Sequence, residues 1–180
     1  MRKVIRKVFM VWDFDKEEAW LNEMAAKGLS LVSVGWCRYE FEDSAPGEYK
    51  IRLDFLKDYF KSAENEKYIA FLEETGAEQV GAWGGWVYFR KKAAEGDFQL
   101  FSDNDSRISY LTRIIRFIGA LCGINVFAAV YNLSLFLMLH HNEANLIGLV
   151  NLLIAAVCAP GLLRNVRKRK KLRTEQQVFE

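Results

Sequence analysis

Hydrophobic and polar positions alternate with two different periods over the first hundred residues, and beyond residue 116 charge disappears for long stretches. Val4 to Trp12 is rich in Val, Ile, Phe and Trp and predicts a strand. Asp15-Lys-Glu-Glu18 fits a capping box, with Phe14 placed to staple onto Ala19. Trp20, Leu21, Met24 and Ala25 then form the apolar stripe of a helix that Gly28 ends. Leu29 to Glu42 predicts a second strand and Asp43 to Gly47 a turn. Tyr49-Lys-Ile-Arg-Leu-Asp-Phe55 alternates apolar and charged residues, as a strand with one buried and one wet face does. Ser62 to Thr75 reads as a second helix carrying Tyr68, Ile69, Phe71 and Leu72, stopped by Gly76. Ala77 to Lys91 is strand-like, and Gly84-Gly85 marks a bulge or tight turn inside it. The order β-α-β-β-α-β predicts an α+β, ferredoxin-like domain with an antiparallel sheet and both helices on one face. A short hairpin in place of the last strand stays open.

No Asp, Glu, Lys or Arg occurs between Phe117 and Leu139, nor between Ala144 and Leu163. A helix rises about 1.5 Å per residue and the hydrocarbon core is roughly 30 Å thick, so each run is long enough to span it. Two successive runs without a polar face are a poor description of buried helices in a small soluble protein. Ser102 as N-cap with Asp105 at N3 starts a helix that continues through Ile108, Leu111 and Ile115 into the first run. The predicted organisation is a cytosolic α+β domain at 1–100 and a juxtamembrane helical connector at 101–116. A transmembrane helical hairpin follows at 117–163, with spans 117–139 and 144–163, and then a basic cytoplasmic tail at 164–180.

Charge gives the hairpin a direction. Arg113 and Arg116 precede the first span, while Arg164, Arg167, Lys168, Arg169, Lys170, Lys171 and Arg173 follow the second. The connecting His140-His141-Asn142-Glu143 has no Lys or Arg. Basic residues stay on the cytoplasmic side, which predicts a multi-pass membrane protein with both termini cytoplasmic. The tail would also attract anionic lipid head groups, at about 1 kcal/mol per basic residue near the surface. Nucleic acid is a poorer partner: residues 1–103 carry 15 Lys+Arg against 19 Asp+Glu, an unfavourable footprint for a phosphate backbone. Gly119 and Gly123 form a GxxxG with Asn125 on the same span, and Gly148, Asn151 and Ala155 share a face of the second. These are candidate helix-packing residues, within the hairpin or in a homo-oligomer. No ionisable group lies within either span, which argues against a transport pathway through the two helices.

Candidate chemistry is sparse. The odd, widely spaced Cys37, Cys122 and Cys158 predict neither a disulfide framework nor a zinc site. His140, His141 and Glu143 do not match a metal-ligand spacing and read better as interfacial turn residues. Asp103-Asn-Asp105 lacks the glycine and distal glutamate of a calcium loop. There is no P-loop, dinucleotide glycine motif or nucleophile-base pair, so no catalytic, cofactor-binding or metal residue is expected. Met1 to Lys7 is basic, but the apolar Val8 to Trp12 is too short for a signal peptide and Asp13 closes it. All five tryptophans fall in the first hundred residues. Most are expected to be core, and Trp83 and Trp86, flanking two glycines, are the candidate contacts for a partner or ligand.

The run from Phe14 to Gly28, then Gly47-Glu-Tyr-Lys-Ile-Arg-Leu-Asp54, Trp86-Val-Tyr-Phe-Arg-Lys91 and Phe101-Ser-Asp103 with Ser106, resembles an uncharacterised DUF-type family of bacterial membrane proteins. Its members occur mainly in Firmicutes, often encoded beside PadR-like transcription regulators. Ala77 departs from the pattern, which has an aromatic there. The resemblance implies a regulatory association and assigns no residue a role. Two functions are therefore expected: a non-enzymatic, membrane-tethered regulatory or sensing protein whose cytosolic domain binds a partner protein or ligand, or an accessory subunit of a membrane transport complex. An enzyme working through a carboxylate such as Asp54 ranks behind both.

Overall fold

Three left-handed backbone positions decide how the first hundred residues fold. The computed structural model describes residues 2–57, 62–138 and 143–179. In it Cys37, Gly84 and Gly85 have φ of 52°, 59° and 87°. Such values are what tight hairpins require. Cys37 breaks one run that reads as a long strand into two, and Gly84 with Gly85 breaks the other. The elements are β1 (Arg2–Arg6), α1 (Phe14–Ala26), β2 (Leu29–Gly35), β3 (Arg38–Asp43), β4 (Tyr49–Phe55), α2 (Ala63–Glu74), β5 (Glu78–Trp83) and β6 (Trp86–Lys92). The fold is mixed α+β. In place of the expected single ferredoxin-like sheet, these strands form two three-stranded antiparallel sheets, β1-β3-β2 and β4-β6-β5.

The two sheets have the same internal plan. Each is a strand, a helix and a hairpin, with the second strand of the hairpin in the middle. A glycine with positive φ follows each helix, Gly28 at 80° and Gly76 at 87°. The pairing register slips between Leu31 and Ser33 in one sheet and between Gln79 and Gly81 in the other. In each hairpin turn a carbonyl accepts from the strand beside it, Cys37 from Lys7 N and Gly85 from Leu56 N. Glycines, register slips and turns are all offset by the same 48 positions (28 to 76, 31 to 79, 37 to 85). The halves are repeats of one β-α-β-β unit, with few side chains in common.

β2 of the first repeat lies against β5 of the second. A Cβ at Gly81 would sit 3.1 Å from the Val34 nitrogen, so the absence of a side chain there permits the approach. Leu21, Leu31, Phe41, Ile51, Val87 and Phe89 are fully buried. Leu72 of α2 packs with Ala77, Val87, Phe89 and Phe98, whereas Phe71, expected on the same apolar stripe, is exposed. The predicted capping box at α1 is not formed as expected. Glu18 instead accepts from Leu53 N at 3.0 Å and from Arg52 at 3.2 Å. Asn22 beside it both donates to Ile51 O and accepts from Ile51 N, each at 2.9 Å. Two α1 side chains thus hydrogen-bond the free edge of β4 as a further strand would. Asp54 is buried with Ile51, Leu53 and Phe55, so β4 has no fully wet face at its C-terminal end.

The chain divides into two compact units, Met1–Ser102 and Asp103–Glu180. The second is built from α3 (Asn104–Met138) and α4 (Ile147–Phe179), with a 3-10 turn at Glu143–Leu146. Both helices are long and apolar enough to cross a membrane. Asp103, rather than Ser102, caps α3: its carboxylate accepts from Ser106 N at 2.7 Å and Ser106 Oγ at 2.9 Å. α3 starts at Asn104 and runs without a break into the first apolar run, and α4 carries the basic segment as far as Phe179. The expected turn residues His140, His141 and Asn142, and the span end Leu139, lie outside the described residues.

Candidate functional site

Among the buried residues of α1, one is an acid. Phe14, Glu17, Leu21 and Met24 are all buried at helical spacing. The Glu17 carboxylate accepts from Tyr39 Oη at 2.7 Å and from Tyr88 Oη at 2.6 Å. Tyr39 stands on β3 and Tyr88 on β6, so this carboxyl joins both sheets beneath α1. Burial pushes its pKa above the usual carboxylate range, against the two phenol bonds that favour the anion. The Tyr39 phenol is pushed well up by burial and by the adjacent carboxylate. The position 48 residues on is Asn65, which is also buried.

A second polar centre bridges the sheets from β6. Arg90 is buried, and its guanidinium donates to Glu78 twice, Nε to Oε2 at 2.8 Å and Nη2 to Oε1 at 3.1 Å. Nη1 reaches Glu42 at 2.9 Å, Ser30 Oγ at 3.0 Å and the Leu31 carbonyl at 3.1 Å. The Tyr49 ring lies 4.7 Å from the guanidinium carbon. Arg90 occupies the repeat position of Glu42, and Glu78 that of Ser30. The four meet where the repeats adjoin, and the planar fork of arginine suits the bidentate partner there. The burial, the bonding and the split between both repeats make the Arg90 and Glu17 centres structural ties as they stand.

The tryptophan pair expected as a contact is divided by the fold. Trp83 is 50% exposed, but Trp86 is only 6% exposed, stacked on Phe14 and edge-on to Phe55. Trp86 is core, because its first position in β6 turns it under α1, and Trp83 alone remains available to a partner. The most exposed tryptophan is Trp36, at 78%, in the β2–β3 turn. It was expected in the core, and the turn that exposes it is marked in the sequence only by Gly35.

In the helical unit Gly148 packs closely: a Cβ there would meet Leu133 at 2.9 Å and the Ala129 carbonyl at 3.0 Å. Ile114, Ile118 and Ala129 of α3 and Ala155, Cys158 and Asn165 of α4 are buried in the same unit. Cys122 Sγ points to the Ala155 carbonyl at 3.5 Å. Gly119 and Gly123 behave differently from Gly148, with nothing within 4 Å of a built Cβ, so the GxxxG does not pack within this hairpin. Asn125 bonds its own helix at Leu121 O, 2.8 Å, and Asn151 is half-buried. Arg169 reaches Thr112 and Gln176 reaches Asp105, at 3.4 and 3.1 Å, so the antiparallel pairing continues past the charge-free runs. Pro160, Leu163, Arg164, Arg167, Lys168 and Lys171 line an open groove along α4. Arg113, Arg116, Lys170 and Arg173 complete the basic set predicted for this end. Among the described residues no group of three or more His, Cys, Asp or Glu is placed to hold a metal.

A family described as "Protein of unknown function (DUF2812)" matches residues 13–136, more than half of the chain. The chain belongs to the DUF2812 family. The matched segment runs from just before α1 through β2 to β6 and most of α3, so the DUF2812 signature leaves out β1 and includes the first apolar helix along with the rest of the α+β unit. No curated protein and no solved structure matches the chain.

Proposed function

We propose that this DUF2812 protein is a two-span protein of the bacterial cytoplasmic membrane, with both termini cytoplasmic, whose α+β unit is a non-enzymatic regulatory or sensing module. The observation that carries the reading is the continuity of the family signature. It spans α1, β2 to β6 and most of α3 without a break, and Asp103 caps α3 directly after the α+β unit ends. The absence of Lys and Arg from the described part of the connection, against the basic end of α4, supports the orientation. Trp83 is the contact for a protein or ligand that the reading favours, and a PadR-like transcription regulator is the partner that the resemblance implies. A photo-crosslinking residue at position 83 in intact cells should capture one protein reproducibly. Capture of nothing beyond lipid and abundant bystanders would count against the module.

The open Gly119–Gly123 face favours a second reading, an accessory subunit of a transport complex with the hairpin as its assembly element. Replacing α3 and α4 by an unrelated two-span anchor separates the two. Function survives the exchange if the α+β unit is the working part and fails if the hairpin is.

A further inference from the structure

The outer face of β1 alternates base and hydrocarbon. In the register with β3, Arg2 stands opposite Glu42, Val4 opposite Glu40 and Arg6 opposite Arg38. Directly opposed residues share a face, and this one lies away from the buried Tyr39 and Phe41. Arg2, Val4 and Arg6 are exposed, and Val8, just past the strand, is 67% exposed. The Lys7 nitrogen donates to Cys37 O, which brings the Trp36 turn beside this end of β1. The acids on the same face of β3 are engaged, Glu40 with Arg38 at 2.8 Å and Glu42 with Arg90 at 2.9 Å. Lys7 itself lies over the Trp20 ring at 4.5 Å. What is left facing solvent on this side is Arg2 and Arg6 around Val4, with Val8 and Trp36 beside them.

We propose that this face of β1, with the Trp36 turn, rests on an anionic lipid surface. Interfacial tryptophan and snorkelling arginine are the side chains that partition at head-group depth, with an apolar body below and a polar tip above. Basic residues add attraction to anionic lipid within a Debye length of it. The proposal rests on the reading that the hairpin spans the bilayer. If α3 enters the membrane at Phe117, the thirteen helical residues from Asn104 are a tether of at most about 20 Å between the α+β unit and the surface. At that tether length a weak surface becomes an effective one, because lipid is always at high local concentration. An acidic strand adding to the β1 edge is the competing occupant.

The test uses the full chain in vesicles of phosphatidylcholine alone or mixed with phosphatidylglycerol, each containing acyl-brominated lipid as quencher. All five tryptophans lie within Met1–Ser102, so their emission reports on that unit alone. Quenching should be strong in the phosphatidylglycerol vesicles and weaken in high salt. It should be lost in Trp36→Phe and kept in Trp83→Phe; Arg2→Glu with Arg6→Glu should lower it with Trp36 intact. Quenching that is absent, or unchanged by Trp36→Phe, overturns the proposal. So does a Trp36 untouched by bromine whose emission shifts on adding polyglutamate, which assigns the edge to an acidic strand. Retention in the vesicles through alkaline carbonate tests the spanning reading separately. Release sinks that reading, whereas retention with Trp36 unquenched overturns the docking alone.

Discussion

The two β-α-β-β repeats share a backbone plan and divide the work of holding the unit together unequally. In the first, α1 buries Phe14, Glu17, Leu21, Met24 and Ala25 and also seals the edge of β4 through Glu18 and Asn22. In the second, α2 buries only Asn65 and Leu72, and Phe71 is left outside. Position 22 is Asn and its repeat counterpart, position 70, is Ala, so the equivalent strand-edge bond has no donor or acceptor. The second repeat contributes instead the arginine at the junction, where the first has Glu42. A duplicated backbone therefore leaves the same positions free to specialise, and the charges that tie the repeats together are those that differ between them.

Leu21 and Ile69 are repeat counterparts, and they should give the largest contrast. Leu21 is fully buried, so Leu21→Ala is expected to cost about 3 kcal/mol, against about 1 for half-buried Ile69→Ala. Denaturant unfolding of the solubilised chain, followed by tryptophan emission, measures both. Equal costs would mean that the repeats carry equal loads after all.

Arg90→Ala should follow at about 2 kcal/mol, because it strips partners from Ser30 and the Leu31 carbonyl. Glu42→Ala at the counterpart position should cost well under about 1 kcal/mol, since that side chain is nearly half exposed. Asn22→Ala leaves both polar groups of Ile51 without their side-chain partner and is expected to cost about 1–2 kcal/mol. Ala70→Asn, the reverse exchange, should change almost nothing by the same measurement.

The smallest effect is a pH dependence at Glu17. Burial raises its folded pKa above the unfolded value, so the folded state holds the proton more tightly. The associated stability is fully present below the ordinary carboxylate range and is lost as pH rises through the raised folded value. Glu17→Gln keeps an acceptor for Tyr39 and Tyr88 without the charge. Its thermal midpoint should therefore gain on that of the parent as pH rises from the carboxylate range to neutrality. Parallel curves for Glu17→Gln and parent would show that the buried acid carries no such linkage, and that positions 17 and 65 are equivalent in kind.

Much of the local structure was legible from spacing alone. Gly28 and Gly76 ended their helices, the run from Ser62 to Thr75 held α2, and the two charge-free runs fell in two long helices. Glu17 had a visible signal, an acid on the stripe of Phe14, Leu21 and Met24, that points to a buried partner. The hairpins were harder, since Cys37 carries no mark of the left-handed conformation that Gly85 advertises at the same repeat position. The GxxxG at 119–123 was legible as a motif but not as a contact, because which face of α3 meets α4 depends on the whole seam.

The sequence by itself determined where α1 and α2 end and how long the apolar runs are, because these follow from local spacing, glycine placement and charge. Only the tertiary structure decided that the strands form two sheets, that Arg90 joins Glu78 to Glu42, and that Trp86 is buried while Trp36 is exposed. Those outcomes depend on residues tens of positions apart, and their pairing is fixed by packing and hydrogen-bond satisfaction rather than by any local pattern.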